Sequence, residues 1–327
     1  MMMMQRFVGG FVVAVAVAVL VVAGSGSVAV AVEGENASAI RPTVLWHGMG
    51  DTCCLPFSMG AVKKEIEKHL PDIYVYSIML GKNEIEDEFE GFFGNVNTQV
   101  DNICTKLKSD PNLKNGFNAV GFSQGGQFLR AYVQRCNDPP VHNLVTLGGQ
   151  HMGVTDIPHC TATNATLCQL MAEALSVGAY VDGIRNYSVQ AQYFRSAFEY
   201  KKYLEKNIFL ADLNNERATK NATYKQNLAS LNRFVLIEFS EDTMVVPRES
   251  SQFGYFKEGA MKEIVPMRQQ PIYTEDWIGL QQLDKDNRIV EKKCPGDHLQ
   301  FTMKYFLDNV ISPFLNNTVT TTTTTTI

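Results

Sequence analysis

The sequence predicts an α/β fold, with a mostly parallel central sheet, flanking helices and one largely helical insertion. Three observations predict it. Short apolar runs rich in β-branched residues alternate with stretches whose apolar residues recur every three or four positions, the pattern of parallel strands joined by crossover helices. The chain has 327 residues, 45% hydrophobic and 19% charged, enough to bury a sizeable core. The alternation breaks once, for about 80 residues, before a strand pattern returns; a gap of that length is too long for a plain connection.

The N-terminus reads as an address. Arg6 precedes a continuous apolar run from Phe7 to Ala23, and small residues around Ala29 and Ala31 offer cleavage sites, so residues 1–31 are expected to be a secretory signal peptide. The uncharged run from Phe7 to Val32 is also long enough to cross a bilayer, and an uncleaved anchor is the alternative. The small residues at its end favour cleavage, which leaves no stable membrane span. A globular domain is expected over residues 42–315.

Within it, "TVLWH" (Thr43 to His47) reads as a buried strand, followed by the loop "GMGDTCC". Met59, Val62, Ile66 and Leu70 form one face of a helix, and "IYVYSIML" is β-branched and aromatic, hence a strand. Val96, Val100, Ile103 and Leu107 mark a second helix. The strand "FNAVGF", the helix "QGGQFLRAYVQRC" and the strand "VHNLVTLGG" follow. The insertion, at about residues 150–232, is loop-rich or helical and is expected to form a lid or small second lobe. "RFVLIEFS" (Arg233 to Ser240) resumes the sheet. A turn at Pro247, a mixed polar segment and a closing helix over Leu299 to Phe314 complete the domain. Residues 316–327 are threonine-rich and have no means of building a core, so a disordered tail open to O-glycosylation is expected.

A net charge of −5 spread along the chain provides no basic stripe, which excludes nucleic acid as a partner. The secretory reading predicts oxidised cysteines and usable sequons. Sequons occur at Asn36, Asn164, Asn186, Asn221 and Asn316. Seven cysteines allow three bridges and one remaining thiol, with connectivity open. Cys160 and Cys168 flank a short sequon-bearing loop and make a reasonable local pair; Cys53 and Cys54 are adjacent. There is no C-x-x-C and no His-rich cluster, so neither metal nor cofactor is called for.

The chemistry centres on Gly121-Phe122-Ser123-Gln124-Gly125, a G-x-S-x-G string between a strand and a helix. That context is a nucleophile elbow: the serine is exposed on a sharp turn, and flanking glycines leave room where β-carbons would clash. A hydroxyl needs a base and a group to orient that base. In α/β-hydrolases the chain order is serine, acid, histidine. His298, in the turn "CPGDHLQF" before the last helix, is the histidine in the right place. His142, His151 and His159 come too early, and His69 caps a surface helix. His47 is an alternative base, although a polar residue closing a strand is the plainer reading. The loop "SEDTMVVP" offers Glu241 and Asp242 for the acid; Asp242 is chosen for its short side chain before a turn, with Glu241 as the alternative. Oxyanion donors are the backbone N–H of Gln124 and one in "HGMGD", with Met49 the candidate.

With these motifs in hand, the chain closely resembles the lysosomal palmitoyl-protein thioesterases, α/β-hydrolases. The resemblance spans about Pro42 to Leu315. It is carried by "LWHGMGDTCC", "FFGNVNTQV", "GFSQGGQFLRA", "LGGQHMGV", "IFLADLNNER", "YTEDWIGL" and "GDHLQ". It implies Ser123 as nucleophile, Asp242 as acid, His298 as base, and Met49 and Gln124 as oxyanion donors. It also implies bridges joining Cys53 to Cys54, Cys104 to Cys136 and Cys160 to Cys168, with Cys294 single, and an insertion that supplies part of a fatty-acyl groove. Substrates would be S-acylated proteins or peptides and other acyl thioesters, met in a lysosome or outside the cell. The chain departs from the family at Glu241, where a sequon is missing, at Val246, where an acidic residue is replaced, and in its threonine tail. The same triad would serve a carboxylester lipase or a phospholipid-directed acyltransferase, and only the resemblance selects the thioester. The intact serine, aspartate and histidine argue against a non-catalytic lipid-binding glycoprotein.

Overall fold

Six parallel strands form the central sheet: β1 (Thr43–Trp46), β2 (Val75–Ser77), β3 (Phe117–Phe122), β4 (Val141–Leu147), β5 (Arg233–Phe239) and β6 (Ile289–Cys294), in the order β2-β1-β3-β4-β5-β6. The computed structural model describes residues 32–156 and 165–325. The leader expected over residues 1–31, together with His159, Cys160 and Asn164, lies outside the described residues. By contacts the chain divides into residues 37–321, which hold this sheet, and residues 1–36 with 322–327.

Strand pleating builds two cores from one sheet. Val44 and Trp46 of β1 join Phe117, Ala119, Leu144 and Leu236 on one face, whereas Leu45 joins Val120, Phe122, Val145 and Ile237 on the other. This is the two-residue alternation of side chains across a strand, here apolar on both sides because helices cover both faces. Helices α1 (Met59–His69), α2 (Glu84–Phe92), α3 (Val96–Ser109) and α4 (Gln124–Arg135) fill the crossovers before β4. α1 packs Met59, Val62 and Ile66 on the second face; α3 and α4 pack Val96, Val100, Ile103, Phe128 and Leu129 on the first. Among the described residues, no helix is long and apolar enough to cross a membrane.

Four elements differ from expectation, each for a local reason. β2 is three residues long because it is an edge strand with a single partner, β1. The polar stretch before His298 contains β6, the opposite edge; its Glu291, Lys292 and Lys293 obscure a strand pattern but suit an exposed rim. The closing helix begins at Met303 rather than Leu299, because Thr302 accepts the Tyr305 N–H as its N-cap and leaves residues 295–302 as a turn; it continues as a wider helical stretch over Leu307–Leu315. The threonine tail is not without structure: Thr318–Thr325 is a strand in a two-stranded sheet with Val32–Ile40, consistent with the extended preference of β-branched residues.

Between β4 and β5 the insertion is helical, beginning with α5 (Ala165–Gly178) and α6 (Asp182–Tyr187). Cys53 is bonded to Cys54, and Cys104 on α3 to Cys136 at the end of α4. Cys168 on α5 is disulfide-bonded, and Cys294 is a buried free thiol. The sequon residues Asn186, Asn221 and Asn316 are exposed, and Asn36 lies in the Val32–Ile40 strand.

Candidate active site

At the junction of β3 and α4, Ser123 has φ 52° and ψ −126°, a backbone conformation that L-residues rarely adopt. Two glycines permit it. A β-carbon on Gly121 would lie 2.4 Å from Gly126 Cα, and one on Gly125 would lie 2.3 Å from the Trp46 carbonyl oxygen. The Ser123 N–H donates to Leu147 O on β4 at 2.8 Å, which ties the elbow to the neighbouring strand. The hydroxyl therefore stands at the C-terminal edge of the sheet, where open α/β sheets bind their ligands.

His298 and Asp242 reach it from the turns after β6 and β5. His298 Nε2 is 2.9 Å from Ser123 Oγ, and its Nδ1 is 2.7 Å from Asp242 Oδ2. The Asp242 side chain is fully buried, and its Oδ1 accepts the N–H groups of Met244 and Val245 at 2.9 Å each. With Nδ1–H donated to the carboxylate, Nε2 is left to accept the serine proton. Asp297, adjacent to the ring, accepts the His298 N–H and both the N–H and hydroxyl of Thr243, so it ties the two turns together instead of facing the imidazole. Glu241 is exposed, with its N–H on Gly296 O. Glu238 on β5 is buried beside Lys293.

A residue not singled out from the sequence completes the hydroxyl's surroundings. Gln150 Nε2 donates to Ser123 Oγ at 2.9 Å, and Gln127 Nε2 lies 3.4 Å from Gln150 Oε1. The serine oxygen thus donates to His298 and accepts from Gln150, which leaves its rotor one orientation. The available signal was positional: Gln150 follows β4, the strand next to the elbow, at the same sheet edge.

Met49, Ser123, Gln150, Val154, Tyr193, Met244, His298 and Leu299 line one cavity of about 60 Å³. Gln124 begins α4 directly after Ser123, where unpaired helix N–H groups gather. Its side chain is spent on structure: Nε2 donates to Gly91 O at 2.9 Å, and Oε1 accepts from Tyr193 OH at 3.1 Å. Opposite, the Met49 loop approaches so closely that a β-carbon on Gly48 would be 3.1 Å from Ser123 Cβ. Met49 also touches an apolar cluster of Phe92 from α2 and the following Phe93 with Met171 and Leu175 from α5.

The remaining described histidines lie apart from the serine. His151 is buried, 3.0 Å from Thr146 Oγ1 and stacked on Phe253; burial, with the Arg130 charge, holds its pKa well below the usual imidazole value. His69 pairs with Glu65 on the α1 surface, and His142 is half-buried with its pKa lowered by burial and by Arg41 and Arg233. His47 is buried against Asp87.

Residues 42–298 match the protein family described as palmitoyl protein thioesterase. Palmitoyl-protein thioesterase 1 of Caenorhabditis elegans is 46% identical over 282 residues, covering 86% of this chain and 94% of the relative. Palmitoyl-protein thioesterase 3 of Dictyostelium discoideum is 36% identical over 284 residues, covering 86% and 94%. A Drosophila melanogaster protein named as a lysosomal thioesterase homologue is 27% identical over 284 residues, covering 85% and 93%.

Proposed function

The chain belongs to the palmitoyl protein thioesterase family, and from that premise we propose that it removes long-chain acyl groups from cysteine thioesters of proteins or peptides by a Ser-His-Asp acyl-enzyme mechanism. The observation that carries this reading is the continuous relay from Asp242 through His298 to Ser123, at 2.7 and 2.9 Å.

His298 Nε2 takes the Ser123 proton as Oγ attacks the thioester carbonyl carbon. The carbonyl electron pair moves onto oxygen, where the N–H groups of Gln124 and Met49 receive the charge. The buried Asp242 carboxylate stabilises the imidazolium that forms. Collapse of the intermediate breaks the carbon–sulfur bond, and the proton on His298 leaves with the cysteine thiol. Water then gives its proton to His298, attacks the acyl-serine and releases the fatty acid, and the proton returns to Ser123 Oγ. Gln150 keeps the hydroxyl turned toward His298 before attack. The cavity side chains of Met49, Val154, Tyr193, Met244 and Leu299 are the apolar surface proposed for the start of the acyl chain, where each buried methylene contributes about 0.8 kcal/mol.

A lysosomal or extracellular site of action is part of the proposal. The apolar N-terminus, the two bridges among Cys53, Cys54, Cys104 and Cys136, and the exposed sequons support it. The test is turnover of a palmitoyl thioester beside the matching oxygen ester, with wild type and Ser123→Ala. The expected outcome is preference for the thioester and loss of at least about 10³-fold in the variant. Unchanged turnover by Ser123→Ala refutes the mechanism, and preference for the oxygen ester refutes the substrate class.

A further inference from the structure

His47 follows β1 directly and begins the loop that carries Met49. Its ring is 1% exposed and lies under the site rather than in it. Both ring nitrogens face acceptors: Nδ1 is 2.9 Å from the Gly48 carbonyl oxygen, and Nε2 is 3.1 Å from Asp87 Oδ1. A neutral imidazole has one N–H, so two acceptors require the imidazolium. Asp87, on α2 and fully buried, is in turn held by the backbone N–H of Leu80 on Oδ1 at 2.7 Å and of Cys53 on Oδ2 at 2.9 Å. Burial alone would lower the His47 pKa, but the Asp87 hydrogen bond and charge, the Gly48 carbonyl and the more distant Asp51 raise it on balance. Asp87 is shifted the other way: burial raises its pKa, and His47 with the two amides outweighs burial and lowers it.

The Gly48 carbonyl and the Met49 N–H belong to one planar peptide unit and point in opposite directions across it. A ring that pulls the carbonyl to one side therefore turns the N–H to the other. That peptide stands beside the nucleophile, since Gly48 is packed against Ser123 and Met49 lines its cavity. We propose that His47 is a positioning residue for the oxyanion hole: its Nδ1–H holds the Gly48 carbonyl so that the Met49 N–H is aimed at the developing oxyanion, and Asp87 holds the ring. The inference rests on the proposed acyl-transfer mechanism. The ring touches no reacting atom and moves no proton in the cycle.

Two substitutions separate positioning from pairing. Asn places its amide nitrogen where Nδ1 stands and keeps a donor for Gly48; Gln places its nitrogen near Nε2 and keeps the Asp87 contact alone. In palmitoyl-thioester turnover, His47→Gln is expected to lose about 10- to 100-fold in kcat with KM changed less than about twofold, and His47→Asn to lose less than about threefold. A merely structural role would make both variants follow their thermal midpoints, not the Gly48 contact. The proposal is overturned if His47→Gln keeps wild-type kcat or if His47→Asn falls as far. Should either variant fail to fold, nitrogen-15 NMR of the wild-type ring decides: two protonated nitrogens at neutral pH are expected, and a bare nitrogen overturns the proposal. Ser123→Ala in the same assay keeps the two failures apart. Full activity there sinks the acyl-enzyme reading, whereas an inactive Ser123→Ala beside an unimpaired His47→Gln sinks only the role of His47.

Discussion

Replacing Asp242 by Asn should nearly abolish turnover while leaving the fold in place, and the structure says why. Asp242 Oδ1 accepts two backbone N–H groups, from Met244 and Val245, and Oδ2 accepts His298 Nδ1–H. An asparagine must keep its carbonyl oxygen on the two amides, because turning it would set its NH₂ against two donors. Its NH₂ then faces His298 Nδ1, which must become an acceptor. The imidazole proton moves to Nε2, opposite a serine hydroxyl that it can no longer deprotonate. A triad with the wrong tautomer loses about 10⁴-fold in kcat, equivalent to about 5 kcal/mol of barrier. The thermal midpoint should shift by only a few degrees, since both amides stay paired. Asp242→Ala, by contrast, strands those amides and should lower stability as well, by about 1–3 kcal/mol for each. The assay is kcat/KM on a palmitoyl thioester beside a melting curve, with the exposed Glu241→Gln as control. Retention of a tenth or more of wild-type activity by Asp242→Asn, or an equal loss in Glu241→Gln, would refute this reasoning.

Gly125→Ala should be destabilised by about 3 kcal/mol or more, because its β-carbon would meet the Trp46 carbonyl oxygen at 2.3 Å and that of His47 at 2.6 Å; an unchanged melting midpoint would contradict the close approach. Breaking the Cys104–Cys136 bridge with paired serines frees a loop of sequence separation 32, which should cost about 3–4 kcal/mol by denaturant unfolding. His151 supplies a pH dependence. Its folded pKa is depressed, by burial and then by Arg130, so below the usual imidazole value of about 6.5 only the unfolded chain takes up its proton. Stability should therefore fall as pH drops from there, by up to about 1.4 kcal/mol per pH unit, and His151→Gln should flatten that slope in chemical unfolding between neutral and acid pH.

What could be read ahead of the structure followed from features carried by neighbouring residues. The buried strands show as unbroken apolar runs, and α1 and α3 as apolar residues three and four apart, since each period is a property of the backbone. Edge strands carry a weaker sign. β6 is half exposed, so Ile289 and Val290 are followed by Glu291, Lys292 and Lys293, and the strand passes for a polar loop. The threonine tail misled for the opposite reason: composition excludes a core, but not the pairing of Thr318–Thr325 with another extended segment.

The site divides along the same line. Ser123 is marked by its glycines, because a strained elbow imposes local steric rules, and His298 by its order along the chain. Asp242 and Glu241 are equal in sequence; burial and the two amides of Met244 and Val245 separate them. The contact of Gln150 with Ser123 and that of His47 with Asp87 carry no local sign, because a hydrogen bond between residues 27 or 40 apart exists only once the sheet has brought their strands and helices together. The sequence by itself determined the chain order of the elements and the positions where a nucleophile and its base could stand. Tertiary structure alone decided which polar groups surround them, since direction, burial and partner depend on the whole fold.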